Sequence, residues 1–171
     1  IYGNNIKYFG GDLFHEGGNT GELNVPESGK AVQDMMLKSF PLSSWVLQGW
    51  SGNPKAELLQ KLNKSNVLIL DLFGENQDNW FKTRSYDNIP FVWCTISNFG
   101  EQVSLYGKLQ HLADEVYRAK NSVYSKYMYG VGVMPEGINN NPAVYDLVLS
   151  LSFTNNKVNV SEWIKKYIQY R

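Results

Sequence analysis

Cysteine is all but missing from this sequence. Cys94 is the single one in 171 residues, so no disulfide framework exists within the chain. It lies in the apolar run 91–96 and reads as a buried strand residue, not a nucleophile. Histidine is scarce too: His15 and His111 stand far apart without carboxylates spaced around them as ligands, so no metal and no cofactor is expected. Net charge is absent, with 16 basic and 16 acidic residues, which removes the electrostatic case for nucleic acid or an anionic membrane as a partner. No apolar run approaches the roughly 20 residues that a membrane span needs. Neither a G-x-G-x-x-G after the first expected strand nor a G-x-x-x-x-G-K-[ST] occurs, which leaves nucleotide binding without support. The chain opens on Ile1 with no initiator methionine and no signal sequence, and is expected to be a piece of something longer.

What the chain has in excess is aromatic residues, 14% of the total, with five Trp and eleven Tyr. Flat π surfaces suit the C–H faces of sugar rings, although aromatics also simply fill cores. The length is enough for one domain with a real core. Apolar runs bounded by turn residues predict strands at 6–9, 44–50, 67–73, 89–98 and 129–134. Helical spacing predicts helices at 30–40, 55–62, 105–120, 142–151 and 160–170, with 80–88 an unpatterned connection. The stripe of the first helix is Ala31, Val32, Met35, Met36 and Phe40, read as core-facing. That of the third is Leu105, Leu109, Leu112, Val116 and Ala119, which leaves His111 on or near the surface. Ser161 is the expected cap of the last helix. The run 67–73 is apolar at nearly every position, as in a parallel strand covered on both faces. Asp71 interrupts it, and a buried acid needs a partner: it either holds neighbouring loops or meets a ligand hydroxyl. Strand and helix alternating with short links predict an α/β fold on a parallel sheet.

The stretch 129–138 shows how such a chain places chemistry. A strand is stopped by Pro135, which has no N–H for a ladder, and Glu136 is delivered just past its end. Gly137 then allows a turn, and Asn139-Asn140-Asn141-Pro142 reads as a helix start. If the five strands are parallel neighbours, their C-terminal ends share one rim. That rim holds His15 and Glu16, Gln48 and Trp50, Asp71 to Phe73, Ser97 to Phe99, and Glu136. Paired carboxylates flanking a sugar are the working parts of most glycosidases, and Glu16 and Glu136 are the candidates, although 120 positions (136 − 16) separate them. Two unrelated loop glutamates remain the plain alternative.

The segments GDLFHEGG (11–18), SWVLQGW (44–50), NVLILDLFGENQ (66–77), PFVWCTISNFG (90–100) and GVGVMPEGINNNPAVYDLV (130–148) resemble, in order, the α-N-acetylglucosaminidase family, glycoside hydrolase family 89. The combination of DLF-x-E, WC-x(3)-NFG and the M-P-E-G-I box carries the likeness. The resemblance implies the C-terminal portion, about five βα units, of a TIM-type (β/α)8 barrel over residues 1–153, with the start of a helical domain at 154–171. It implies a retaining exo-glycosidase acting on terminal non-reducing α-linked N-acetylglucosamine, with Glu16 as general acid/base and Glu136 as nucleophile. His15, Trp50, Leu72, Ile96, Asn98 and Phe99 fall where the family binds substrate. The implied partners are a glycan and the rest of the same polypeptide, and the implied location is secreted, periplasmic or lysosomal. Phe14 and Trp50 are expected to keep Glu16 poorly hydrated, and so protonated when the reaction starts. Two rival readings are another retaining α-glycosidase on this scaffold and a carbohydrate-binding domain without catalysis.

Overall fold

The computed structural model describes residues 5–102 and 106–170. Five strands, β1 (Tyr8–Gly10), β2 (Ser44–Gly49), β3 (Val67–Asp71), β4 (Phe91–Thr95) and β5 (Met128–Val133), form one sheet in the order β1-β2-β3-β4-β5. Every neighbouring pair is parallel. Each crossover is therefore a βα unit, and all five strand C-termini lie along one edge.

Among the described residues seven α-helical segments, besides shorter 3-10 turns, supply those crossovers and the C-terminal part. They are α1 (Val25–Ser39), α2 (Ala56–Leu59), α3 (Asn79–Lys82), α4 (Arg84–Asn88), α5 (Leu109–Lys120), α6 (Pro142–Ser150) and α7 (Val160–Gln169). Burial alternates along β2 and β3, so Trp45, Leu47, Val67 and Ile69 are sealed under helices while Val46, Leu68 and Leu70 are only half-buried. The expectation that β3 is covered on both faces is corrected accordingly: its second face is half open in this five-stranded sheet. Phe91 and Trp93 of β4 extend the sealed face, and Trp80 stacks on Phe91 with centroids 6.1 Å apart and planes 6° from parallel.

Helix α1 starts five residues earlier than its apolar stripe indicated. Asn24 caps it by accepting from Glu27 N–H at 3.2 Å, and Pro26 stands in the first turn. Its buried positions are Val25, Gly29 and Gln33, whereas Ala31, Val32 and Met35 are exposed. Most of the expected stripe is thus turned away from the core, and Met36 alone of its helical residues packs against it. Gly29 sits where a Cβ would meet the Leu58 side chain at 2.7 Å, so close helix packing chose the face. Gln33 is buried with its amide spent on Asn63, accepting from its N–H at 2.7 Å and donating to its carbonyl at 3.1 Å.

The stretch 80–88, expected to be an unpatterned connection, is structured, and Trp80, Ser85 and Tyr86 within it are buried. Arg84–Asn88 is a turn of left-handed helix, with φ between 50° and 67° at every residue. L-residues there cost on the order of 1–2 kcal/mol each. Burial of Ser85, Tyr86 and Ile89 offsets that cost, together with Thr83 Oγ1 accepting from Tyr86 N–H (2.8 Å) and Ser85 Oγ donating to Ile89 O (2.7 Å). Helix α5 begins at Leu109, and Leu112, Val116 and Ala119 of the expected stripe are buried, with Ala113 beside them and Leu109 half-buried; Leu105 lies outside the described residues. Lys120 Nζ donates to the carbonyls of Leu151 and Thr154, tying α5 to the end of α6. Asn159, not Ser161, caps α7 by accepting from Glu162 N–H at 3.2 Å. Val160 joins the same core as the sheet, with Trp163 and Ile164 packed against it.

Candidate active site

The segment after β1 is stitched to β2. Asp12 Oδ1 accepts from Gln48 N–H at 2.7 Å, and Trp45 Nε1 donates to Gly11 O at 2.7 Å. The chain then coils through a 3-10 turn at His15–Gly17, with Phe14 (φ 59°) and Glu16 (φ 47°) in the left-handed region. Two such residues flanking one histidine are strained backbone of the kind that functional sites retain. Gly18 closes the turn, because a Cβ there would lie 2.8 Å from Phe14 Cα. The turn presents the Glu16 carboxylate to Trp50, whose Nε1–H donates to Oε1 at 2.8 Å.

Trp50, immediately after β2, belongs to a cluster drawn from three strand ends. Its ring lies 5.1 Å from Phe99 and 5.7 Å from Phe73, and Phe73 lies 5.8 Å from Phe99. These tilted and edge-to-face contacts are the favoured geometry for aromatic groups. Phe99 continues into an open groove of about 570 Å³, bounded also by Asn98, Glu136, Gly137 and Ile138. The two acids are thus joined across the rim: Glu16 bonds Trp50, Trp50 packs on Phe99, and Phe99 shares a groove with Glu136.

Glu136 owes its place to Asn98. Oδ1 of the asparagine accepts from Glu136 N–H at 2.9 Å, and Nδ2 donates to the Glu136 carbonyl and, at 2.9 Å, to Asn140 Oδ1. Tyr145 OH, from α6, donates to the same Asn140 oxygen at 2.5 Å. Asn141 caps α6 by accepting from Ala143 N–H at 3.1 Å, as the sequence led one to expect.

Two acids beside this rim are buried. Asp71 accepts from Trp80 N–H at 2.8 Å and is pushed up to about 6 by loss of water, with Trp80, Tyr86 and Asn79 only partly offsetting that. It holds the loop leading to α3, which decides between the two readings of this residue in favour of the structural one. Glu75 accepts from Thr95 Oγ1 at 2.7 Å and Ile96 N–H at 3.1 Å through Oε1, and burial pushes it up to about 7. Its Oε2 is buried without a partner. The thiol of Cys94, also buried, is pushed up to about 12, which makes it inert as a nucleophile.

The sequence-derived site residues divide. Glu16, Trp50, Phe99 and Glu136 come together on one rim. Asn98 is also there but is only 5% exposed, with both amide hydrogens taken. Leu72 is buried and spends its N–H on Gly49 O at 3.3 Å, so the side chain reaching the aromatic cluster from this strand end is Phe73. Ile96 is half-buried, and His15 is half-buried with Nδ1 enclosed and unpartnered. Glu16 is exposed and meets the N–H edge of Trp50, so the poorly hydrated setting expected for it is not formed by the described residues. Phe73 stands on the rim that the sequence predicts, without a role assigned to it, whereas Glu75 of the same D-L-F-x-E segment is not legible as a site residue because it lies past the strand end. Among the described residues no group of three His, Cys, Asp or Glu could hold a metal ion, and no helix is long and apolar enough to cross a membrane.

Residues 1–155 match the family model of the alpha-N-acetylglucosaminidase (NAGLU) tim-barrel domain. The chain belongs to this family. Human alpha-N-acetylglucosaminidase is 29% identical over 184 aligned positions, covering 97% of this chain and 25% of the human protein. A family 89 glycoside hydrolase from Clostridium perfringens, solved in complex with 2-acetamido-1,2-dideoxynojirmycin, superposes with a TM-score of 0.86 at 34% identity, over 95% of this chain and 18% of that one. A CpGH89 variant from the same organism, in which two glutamates 118 positions apart (601 − 483) are glutamines, was solved with its substrate GlcNAc-alpha-1,4-galactose. It gives a TM-score of 0.85 at 32% identity, over 94% of this chain and 18% of that one. The chain therefore spans a quarter or less of the relatives it matches. The five parallel strands are a segment of the family's barrel, which accounts for the half-open face of β2 and β3.

Proposed function

We propose that this chain carries both catalytic carboxylates of a retaining exo-α-N-acetylglucosaminidase, with Glu136 as nucleophile and Glu16 as general acid/base. The observation that carries the reading is the convergence of Glu16 and Glu136 on one rim through Trp50 and Phe99. Their spacing of 120 positions (136 − 16) lies close to the 118 between the two glutamates replaced in the substrate-bound relative.

The chemistry needs both acids. In an α-linked N-acetylglucosamine the leaving oxygen lies on the same face as the C2 acetamido group, so that group cannot attack from behind. A protein carboxylate must do it. Glu136 attacks the anomeric carbon as the C–O bond breaks and Glu16 gives its proton to the departing oxygen. A β-linked glycosyl-enzyme ester results. Glu16, now a carboxylate, takes a proton from water, whose oxygen attacks the same carbon from the opposite side and expels Glu136. The α configuration is restored and both acids return to their starting forms. Trp50 has a double part: its N–H holds Glu16 in place, and its ring offers, with Phe73 and Phe99, an apolar wall for the sugar.

The remainder of the pocket belongs to the rest of the polypeptide, and the substrate is a glycan ending in α-linked N-acetylglucosamine, met in a secreted, periplasmic or lysosomal setting. The barrel segment runs to about residue 153, close to where the family match stops, and the following residues begin a helical domain. In the full-length protein Glu136→Ala is expected to abolish hydrolysis of an aryl α-N-acetylglucosaminide with the circular dichroism spectrum unchanged. Azide should then restore turnover and yield the β-glycosyl azide. Undiminished hydrolysis by Glu136→Ala would remove the assignment.

A further inference from the structure

The ladder between β4 and β5 ends where Met134 N–H donates to Thr95 O at 2.8 Å. The next residue, Pro135, has no N–H to offer, so backbone pairing stops one residue before Glu136. The Asn98 side chain takes over at that point. Its amide oxygen accepts from Glu136 N–H and its amide nitrogen donates to the Glu136 carbonyl, which grips the residue on both sides of its Cα. The second amide hydrogen goes to Asn140, which Tyr145 OH holds from the other direction. An amide has two donor hydrogens and both are engaged, so Asn98 has none left for a sugar hydroxyl.

The strand end that carries Asn98 is itself anchored. Thr95 is fully buried, and its hydroxyl and the Ile96 N–H share one oxygen of Glu75, which is 7% exposed. One residue earlier, Gly74 N–H donates to Cys94 O at 2.9 Å. The β3–α3 loop thus holds the end of β4, and Asn98, three residues past that end, holds Glu136.

We propose that Asn98 is a positioning residue that sets Glu136 for attack, with Glu75 anchoring the strand end that presents Asn98, and that neither touches the sugar. This rests on Glu136 being the nucleophile. Asn98→Asp keeps an acceptor for Glu136 N–H but turns oxygen toward the Glu136 carbonyl and Asn140. A nucleophile displaced by about 1 Å loses on the order of a hundredfold in rate. In the full-length enzyme, Asn98→Asp is therefore expected to lower kcat about a hundredfold with KM within about twofold, at an unchanged folded fraction by near-ultraviolet circular dichroism. Glu75→Ala should lower kcat about tenfold at constant KM, and Glu75→Gln, which keeps an oxygen for Thr95 and Ile96, should recover most of that loss.

A raised KM with kcat intact in Asn98→Asp would make Asn98 a sugar contact and overturn the proposal, as would wild-type kcat in that variant. Should Asn98→Asp fail to fold, Tyr145→Phe decides: kcat lowered threefold or more at constant KM supports the proposal, and wild-type kinetics overturn it. Glu136→Ala, assayed alongside, separates the two levels. If it retains activity, the reading of the nucleophile fails; if it is inactive while Asn98→Asp and Tyr145→Phe behave as wild type, the positioning role alone fails.

Discussion

At the scale of single residues, the rim is governed by which polar atoms are already spoken for. Trp50 turns an N–H toward Glu16, and that bond runs to a group that must be charged for part of the proposed cycle. Hydrogen bonds to charged groups contribute about 1.5–3 kcal/mol when sheltered. Glu16 is exposed, which puts the value at the lower end. Under the proposed function, Trp50→Phe in the full-length protein is therefore expected to cut kcat/KM about tenfold while the protein still folds; an unchanged kcat/KM would show that the indole N–H is dispensable. Of the two acids on the rim, both were visible beforehand because each follows a strand and stands beside a glycine. Asn98 was also visible, but as a sugar ligand. Its actual partners are 38 and 42 positions away, and no local pattern announces a side chain that substitutes for a missing backbone bond.

At the scale of elements, the loop from β3 to α3 concentrates two buried acids. Asp71 is raised from an ordinary 3.8 to about 6 and Glu75 from 4.5 to about 7, in both cases chiefly by loss of water. A carboxyl raised on folding stabilises the fold fully below its unfolded value, and that contribution is lost as pH climbs through the folded one. Asp71 thus loses its share between about pH 4 and 6, and Glu75 between about 4.5 and 7. Asp87 is lowered by its pairing with Lys64 and works in the opposite sense, but it lies in water, where such pairs contribute little. Differential scanning fluorimetry of the full-length protein should show Glu75→Gln gaining stability relative to wild type as pH rises from 4.5 to 7. A difference that stays constant over that range would mean that Glu75 does not change ionisation on folding. The D-L-F-x-E segment announced a strand end but not this. Burial of Glu75 depends on Thr95 and Ile96 arriving from the next strand.

At the scale of the whole molecule, the exposed stripe of α1 has a consequence. Met35 is 66% exposed and borders an apolar groove of about 500 Å³ with Phe9, Leu13, Phe40 and Trp45, along the β1 edge of the sheet. Under the proposal that the rest of the polypeptide completes the barrel, this is where its neighbouring βα unit packs. Leu42 is 93% exposed and lies outside the groove. In the full-length protein Met35→Glu is expected to lower stability by about 2 kcal/mol, as a charge forced into a covered apolar site would. Leu42→Glu should stay within about 0.5 kcal/mol. Equal effects in chemical denaturation would mean that nothing covers the groove.

The division between chain and fold follows from the range of the forces involved. Hydrophobic period, strand-stopping Pro135, the asparagine cap of α6 and the acids beyond β1 and β5 are local, so the amino-acid order alone determined the five strands, the helices that follow four of them, and the two carboxylates at the strand ends. Period shows that a helix has an apolar face but not what that face meets, which is why Ala31, Val32 and Met35 of α1 are read as core-facing although only Met36 of that helix's stripe packs against the core. The left-handed turn at Arg84–Asn88, the burial of Asp71 and Glu75, and the commitment of Asn98 to Glu136 came only from packing. Each needs a partner from another strand end, and a buried hydrogen bond or a strained backbone turn persists only when the surrounding fold excludes water and holds both sides in place.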